Sequence, residues 1–237
     1  LYDTKDKKVV WSDRWQENWD NLPSIKGSLS DGLLKALDIN PKVEKKIKAT
    51  NPEAYEFYLK AKHKYEKREK KDDTEIARGL INKAIEMDDT LIAAKILLGI
   101  THSEMGDYDK AMEIYTSSLK QAKELGDKNG MGKIFIDIGV VYWKKGDYDK
   151  GLYYFGKSLT ISEELGDKSG VGSCLNNFGS VYQIKGDLDT ALDYFGRSLT
   201  IREEIGDKRG IGYNLHNIGF VHADKGDYDK ALDYYER

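Results

Sequence analysis

The sequence predicts an all-α protein built as a solenoid of stacked helical hairpins. Two observations carry this prediction: two kinds of glycine–aspartate turn recur every 40 residues, and the segments between them have the apolar spacing of helices. The composition agrees, because only 3 of the 237 residues are proline, while 33% are charged. Such a composition favours helices over a strand-rich fold.

The turns themselves predict two helices in each repeat. A Gly-Asp-Tyr/Leu-Asp turn occurs four times, starting at Gly106, Gly146, Gly186 and Gly226. A Gly-Asp-Lys turn occurs three times, starting at Gly126, Gly166 and Gly206. A glycine after an apolar stretch ends a helix in the left-handed conformation, and the next Asp caps the amides of the following helix.

The apolar residues between the turns lie on one face of each predicted helix. In one repeat they are Phe135, Ile138 and Tyr142, followed on the second helix by Leu152, Phe155 and Leu159. A single hairpin would leave part of this apolar stripe in water. Neighbouring hairpins are therefore expected to stack into one continuous core.

Three columns of the repeat resemble the tetratricopeptide repeat. They are a glycine at Gly99, Gly139, Gly179 and Gly219, an aromatic residue two to four positions later, and the second-helix pattern of Ala191, Phe195 and Leu199. The 40-residue period resembles the longer variant of adaptor and peptide-sensing proteins, and an earlier unit at Ala77 and Ile81 fits the 34-residue form. The resemblance implies a right-handed superhelical solenoid whose concave face binds a protein or peptide, without catalysis or a cofactor.

The pattern divides the chain into six segments. Residues 1–50 precede the repeats, 51–89 form a divergent repeat, 90–125, 126–165 and 166–205 form three further repeats, and 206–237 form a truncated one. The first segment contains a strand candidate at 7–15 and an amphipathic helix candidate at 25–39. Together they resemble the end of the TolB-like module of bacterial regulatory proteins, some of which carry a class III nucleotide cyclase or DNA-binding domain upstream.

Charge and cysteine usage disfavour several other classes of protein. The 38 basic and 41 acidic residues are mixed along the chain and leave a net charge of −3, so neither nucleic acid nor a membrane is an expected partner. A basic stretch at 42–71 is interpreted either as a solvated helical face or as a surface for an acidic partner. The single cysteine predicts a reducing, cytoplasmic location.

No residue pattern predicts catalysis or a metal site. His102 and His222 share an aromatic column of the repeat, so packing is their expected role. Gly130 and Gly132 open a helix without a preceding strand, which does not suit a phosphate loop. Cys174 has no basic partner in the repeat pattern and is interpreted as a small packed residue rather than a nucleophile.

Columns that differ between otherwise matched repeats define a candidate peptide-binding groove on the first helix of each hairpin. Within one repeat these positions are spaced i, i+4, i+7 and i+11, and they therefore share one helical face. With Trp143 added as an aromatic anchor, the candidate groove residues are Lys133, Asp137, Val140, Trp143, Lys144, Ser173, Asn177, Ser180, Tyr213, Asn217, Phe220 and Asp224.

The side chains of this set suit an extended or helical peptide. Asn177 and Asn217 each offer a donor and an acceptor, and the resemblance implies that an Asn in this column holds the ligand backbone. Asp137 departs from that pattern because a carboxylate only accepts. Tyr213 and Phe220 are candidate anchors. The alternative is that the asparagines merely bridge neighbouring helices.

Two functions follow from these observations. The first is a scaffold or sensor module whose groove binds a protein or peptide, and the second is a self-association and regulatory region of a multidomain bacterial signalling protein such as a class III adenylate or guanylate cyclase. A homodimer through the last repeat is expected, because no further helix follows to cover Leu232 and Tyr235.

Overall fold

The computed structural model describes residues 2–3, 8–9 and 50–237, which fall into two compact units, Leu1–Leu91 and Ile92–Arg237. The described residues form ten helices and one pair of two-residue strands. The predicted all-α class is thus confirmed. The helix candidate at 25–39 lies outside the described residues, and the segment boundaries inferred from the repeats remain predictions.

The first unit contains a short strand pair and one helical hairpin. Its elements are β1 (Tyr2–Asp3), β2 (Lys8–Val9), α1 (Pro52–Glu66) and α2 (Lys71–Met87). The two strands pair antiparallel, and α1 packs against α2. Asn51 begins α1 because its side-chain oxygen accepts hydrogen bonds from the amides of Glu53 and Ala54 at 3.0 and 3.3 Å.

The second unit is an array of four hairpins. Its helices are α3 (Ile92–Glu104), α4 (Tyr108–Leu125), α5 (Lys128–Lys144), α6 (Tyr148–Leu165), α7 (Lys168–Ile184), α8 (Leu188–Glu204), α9 (Lys208–Asp224) and α10 (Tyr228–Glu236). Each odd-numbered helix packs against the next even-numbered one, and successive odd-numbered helices also contact each other. We call α3, α5, α7 and α9 the first helices; they form one continuous row.

The turns have the chemistry that the sequence predicts. Gly126 and Gly146 adopt left-handed φ angles of 71° and 81°, which end α4 and α5. Asp127 Oδ1 accepts a hydrogen bond from the amide of Gly130 at 2.9 Å, and Asp147 Oδ1 accepts one from the amide of Lys150 at 3.2 Å. Each glycine ends one helix and the following aspartate begins the next.

The glycine column of the first helices provides room for a buried aromatic ring. A Cβ atom added at Gly139 would lie 2.5 Å from Phe155 Cε1, closer than any real contact. The equivalent rings Tyr115, Phe155 and Phe195 are each at most 1% exposed. The glycine lets the two helices of a hairpin approach each other closely, and the buried ring fills the space between them.

A second column of stacked rings joins the two helices in the hairpins α5–α6, α7–α8 and α9–α10. Tyr142 stacks on Tyr154 with ring centroids 5.4 Å apart, and His222 stacks on Tyr234 at 5.5 Å. The predicted packing role of His222 is therefore confirmed. None of the helices among the described residues has the length and apolar content needed to cross a bilayer.

Exposed ion pairs repeat along both ends of the hairpins. One series joins the end of a first helix to the start of the preceding second helix: Lys145–Asp109, Lys185–Asp149 and Lys225–Asp189. The other series lies within hairpins: Lys128–Glu164 and Lys168–Glu204. We call these pairs the ion-pair ladder. Because both partners are solvated, each pair contributes little to stability.

Candidate functional site

Side chains that link neighbouring first helices are offset by 41 residues rather than by the 40-residue repeat. Asn217 Nδ2 donates to Asn176 Oδ1 at 3.0 Å, across 41 positions. Gln183 Nε2 donates to Asp224 Oδ2 at 3.0 Å with the same offset. In each first helix, the residue in the column of Asn217 therefore faces the preceding hairpin. The residue just before it, in the column of Asn176, faces the next hairpin.

Several predicted groove residues have hydrogen-bond partners, some in a neighbouring helix and some in their own. Lys144 Nζ donates to the carbonyl of Ser103 at 3.4 Å. The Ser173 hydroxyl accepts from Arg202 Nη2 at 2.7 Å, and the Ser180 hydroxyl donates to the carbonyl of its own helix. Together with Asn217 and Asp224, these residues have hydrogen-bond partners within the chain.

Asp137 and Asn177 differ from the engaged residues. Both are half-buried on the row of first helices, and neither has a hydrogen-bond partner among the described residues. The 41-residue offset places the apolar Ile96 opposite Asp137 and Ile136 opposite Asn177, which explains why no partner is available. Burial raises the pKa of Asp137 to about 8, and the nearby Lys133 ammonium opposes that rise.

The aromatic groove residues remain accessible on α9. Tyr213 is 55% exposed and Phe220 49% exposed, although both are large and apolar. The Arg209 guanidinium lies 5.6 Å from the centre of the Tyr213 ring. On α5, Trp143 is half-buried, and its Nε1 atom has no hydrogen-bond partner in the part of the chain that the structure describes.

The remaining predicted positions, Val140 and Lys133, lie in the same row and have no hydrogen bond or ion pair among the described residues. Val140 occupies the column of Ser180 and Phe220 and is half-buried. Lys133 is exposed at the start of α5. The row of first helices thus combines accessible aromatic rings with polar groups that lack partners, a combination suited to binding a polypeptide.

Cys174 lies on α7, one of the first helices. Cys174 is fully buried, and burial raises the pKa of its thiol to about 11, so it is not a nucleophile at neutral pH. Across residues 50–237, no three His, Cys, Asp or Glu side chains are grouped so that they could hold a metal ion.

Arg202, on the second helix α8, is a polar residue that the sequence analysis missed. Its Nη1 atom bonds the Asp207 carboxylate and its Nη2 atom bonds Ser173, so it joins the starts of two first helices. The signal was present, because its column reads Ala122, Ser162 and Arg202.

Comparison with solved structures shows the same fold. BtubC from P. vanneervenii is 20% identical, with 93% of this chain and 90% of that chain covered and a TM-score of 0.63. The apo form of RapI is 17% identical, with coverages of 78% and 68% and a TM-score of 0.60. PilF from Pseudomonas aeruginosa is 16% identical, with coverages of 77% and 73% and a TM-score of 0.57.

Sequence comparison identifies the family. No curated protein sequence matches significantly. The tetratricopeptide repeat family model matches three overlapping stretches, residues 89–164, 130–204 and 173–237, which together span more than half of the chain. The chain therefore belongs to the tetratricopeptide repeat family, whose members are generally non-catalytic scaffolds for protein–protein interactions.

Proposed function

We propose that the row formed by α5, α7 and α9 is a groove that binds a segment of a partner protein. One observation carries the proposal: Asp137 and Asn177 are half-buried on this row without hydrogen-bond partners among the described residues. Leaving such groups unpaired is unfavourable, and a ligand backbone would satisfy them. Accessible Tyr213 and Phe220 supply apolar contact area on the same row.

The chemistry of the groove favours a backbone-directed mode of binding. Asn177 can donate to a peptide carbonyl and accept from a peptide amide at once, whichever side chains the ligand carries. Asp137 accepts from an amide when ionised and also donates when protonated, since its pKa is raised to about 8. The ligand would place an apolar side chain against Tyr213 or Phe220.

The two asparagines of the column have different expected roles. Asn217 donates a hydrogen bond to Asn176 and thereby links α9 to α7, as the bridging alternative requires. Asn177 has no such link among the described residues. Ligand binding is therefore assigned first to Asn177, and Asn217 contributes by holding the row in place.

A matched pair of substitutions tests this assignment. Peptides selected on an array with the intact chain would be measured by calorimetry against Asn177→Ala and Asn217→Ala. We expect Asn177→Ala to weaken binding by about 1–3 kcal/mol at unchanged stability, because a desolvated peptide group loses its partner. Asn217→Ala is expected to lower the free energy of unfolding by about 1 kcal/mol. If Asn177→Ala keeps its affinity while its melting temperature falls, the groove assignment is wrong.

Self-association is a second candidate, favoured by the exposure of the last hairpin. Tyr235 is 45% exposed, whereas Phe155 and Phe195 in the same column are at most 1% exposed. Leu232 and Tyr228 are 58% and 68% exposed. Two copies could cover these residues about a two-fold axis, in a regulatory region of a bacterial signalling protein such as a class III cyclase.

Sedimentation velocity of the 237-residue chain tests this candidate. A dimer at micromolar concentration that is lost in Leu232→Glu would support it, since a charge in the contact prevents burial of the apolar patch. A parent chain that stays monomeric at high micromolar concentration would contradict it.

For both candidates we place the chain in the cytoplasm, where its lone cysteine stays reduced.

A further inference from the structure

Arg202 occupies a cleft between the ends of three helices. Its Nη1 bonds the Asp207 carboxylate, its Nη2 lies 2.7 Å from Ser173 Oγ, and its side chain is 12% exposed. Two glycines make room for it. A Cβ atom at Gly172 would lie 3.0 Å from Arg202 Nε, and one at Gly210 would lie 2.5 Å from Arg202 Cδ.

The preceding repeat has the same cleft without the arginine. Ser162 stands 40 positions before Arg202, and Gly132, Asp167 and Gly170 repeat the residues that surround it. The cleft measures about 230 Å³, a volume that includes its solvent-open mouth. The lining includes Asn129, Lys133, Ser158, Ser162, Leu165 and Asp167.

Two polar groups of this cleft lack the partners that their equivalents have. Ser158 is 0% exposed, and its hydroxyl, which lies within reach of the Cys174 thiol, has no oxygen or nitrogen partner among the described residues. The equivalent hydroxyl of Ser198 donates to the carbonyl of Gly172 at 2.7 Å. Asp167 forms no ion pair within residues 50–237, whereas Asp207 is paired with Arg202.

We propose that this cleft between α5, α6 and α7 receives an arginine side chain of the bound partner. A guanidinium presents parallel N–H groups in a planar fork, and it can donate to the Asp167 carboxylate and to the Ser158 hydroxyl together. One terminal nitrogen would point into the cleft toward Ser158, and the rest of the guanidinium would remain in the solvent-open mouth. Arg202 shows that the fold holds a guanidinium in this setting.

The mouth of the cleft adjoins the candidate groove. Lys133 lines it and belongs to that groove, so the origin of the arginine in a groove-bound partner rests on the proposed function. Lys133 also takes the place of Ser173, and its exposed ammonium opposes a second cation. Its removal should therefore strengthen binding rather than weaken it.

Methylguanidinium and methylammonium are the probes that test the cleft itself. The Gly170 amide donates to Asp167 Oδ1 at 3.0 Å, and its NMR chemical shift reports on that carboxylate. We expect saturable shifts of this amide with methylguanidinium and none with methylammonium. Ser162→Arg should abolish the response, because its own guanidinium fills the cleft. Lys133→Ser should tighten binding, and Asp167→Asn, which keeps the helix cap, should weaken it about tenfold.

The equivalent cleft of the next repeat provides a matched control. Arg202→Ser should open a second site with the same preference, reported by the amide of Gly210, which donates to Asp207 Oδ1 at 2.9 Å. Equal responses to the two cations, or a response that survives in Ser162→Arg, would overturn the inference and leave a structural water as the occupant.

Peptides that bind the groove separate this inference from the proposed function. Replacement of each peptide arginine by lysine should weaken binding to the parent chain and not to Ser162→Arg. If peptides bind through Asn177 but arginine and lysine versions bind equally, the groove stands and the arginine cleft is wrong. If methylguanidinium binds as expected and no peptide binds, the cleft is supported and the groove is wrong.

Discussion

The glycine column offers a direct test of the packing, because two of its members differ only in how freely the facing ring can move. A Cβ atom at Gly179 would lie 2.7 Å from Phe195 Cδ1, and Phe195 is 0% exposed. A Cβ atom at Gly219 would lie 2.7 Å from Tyr235 Cε1, but Tyr235 is 45% exposed and can turn outward. The same substitution therefore meets a fixed ring at one site and a movable ring at the other.

The expected effects have opposite signs. Overpacking a fixed core costs about 1–3 kcal/mol, and replacing a helical glycine by alanine stabilises by about 0.5–1 kcal/mol. Gly179→Ala should therefore lower the free energy of unfolding by up to about 2.5 kcal/mol. Gly219→Ala avoids most of the overpacking and should be neutral or stabilising by up to about 1 kcal/mol.

Urea denaturation followed by circular dichroism at 222 nm measures both variants against the parent chain. Each kilocalorie corresponds to a shift of about 2–4 °C in melting temperature for a chain of this size. Equal losses of stability in both variants would refute the argument from ring mobility. An unchanged Gly179→Ala would refute the packing column itself.

Three further perturbations follow from the structure. Burial raises the pKa of Asp137 to about 8, and the carboxyl of the unfolded chain titrates near 3.8. The folded state keeps a proton that the unfolded state loses, so stability should fall between about pH 4 and pH 8, and urea denaturation should show that Asp137→Asn removes this dependence. Cys174, whose pKa burial raises to about 11, should have about a hundredfold less thiolate than an unfolded cysteine at pH 8, which the rate of labelling by a disulfide reagent measures. Lys185→Ala breaks an exposed pair with Asp149 and should change the unfolding free energy by less than about 1 kcal/mol in thermal denaturation.

The features that local chemistry determines were predictable from the sequence. A glycine followed by an aspartate ends one helix and caps the next whatever lies around it, and the turns at Gly126 and Gly146 confirm this. The pairing of Gly139 with Phe155 was also predictable, because the two columns recur together in the four repeats from residue 90 onward. These features require only neighbours in the same hairpin.

Contacts between hairpins were less predictable. The link from Asn217 to Asn176 spans 41 positions, and alignment of the repeats at 40 positions pairs Asn217 with Asn177 instead. The extra residue depends on how one first helix packs against the next, which no single repeat specifies. The position of Arg202 depends on the same packing, since it reaches two first helices from a second helix.

The ion-pair ladder separates the joints of the array from its binding surface. Lysine recurs at 145, 185 and 225 and aspartate at 109, 149 and 189, while the groove columns change from repeat to repeat. Each 40-residue repeat therefore supplies the lysine of one such pair and the aspartate of the next pair along the chain. Repeats of this kind are interchangeable. Duplication of one repeat would extend the groove by one new set of side chains, while the same lysine–aspartate ion pair would form at every contact between repeats.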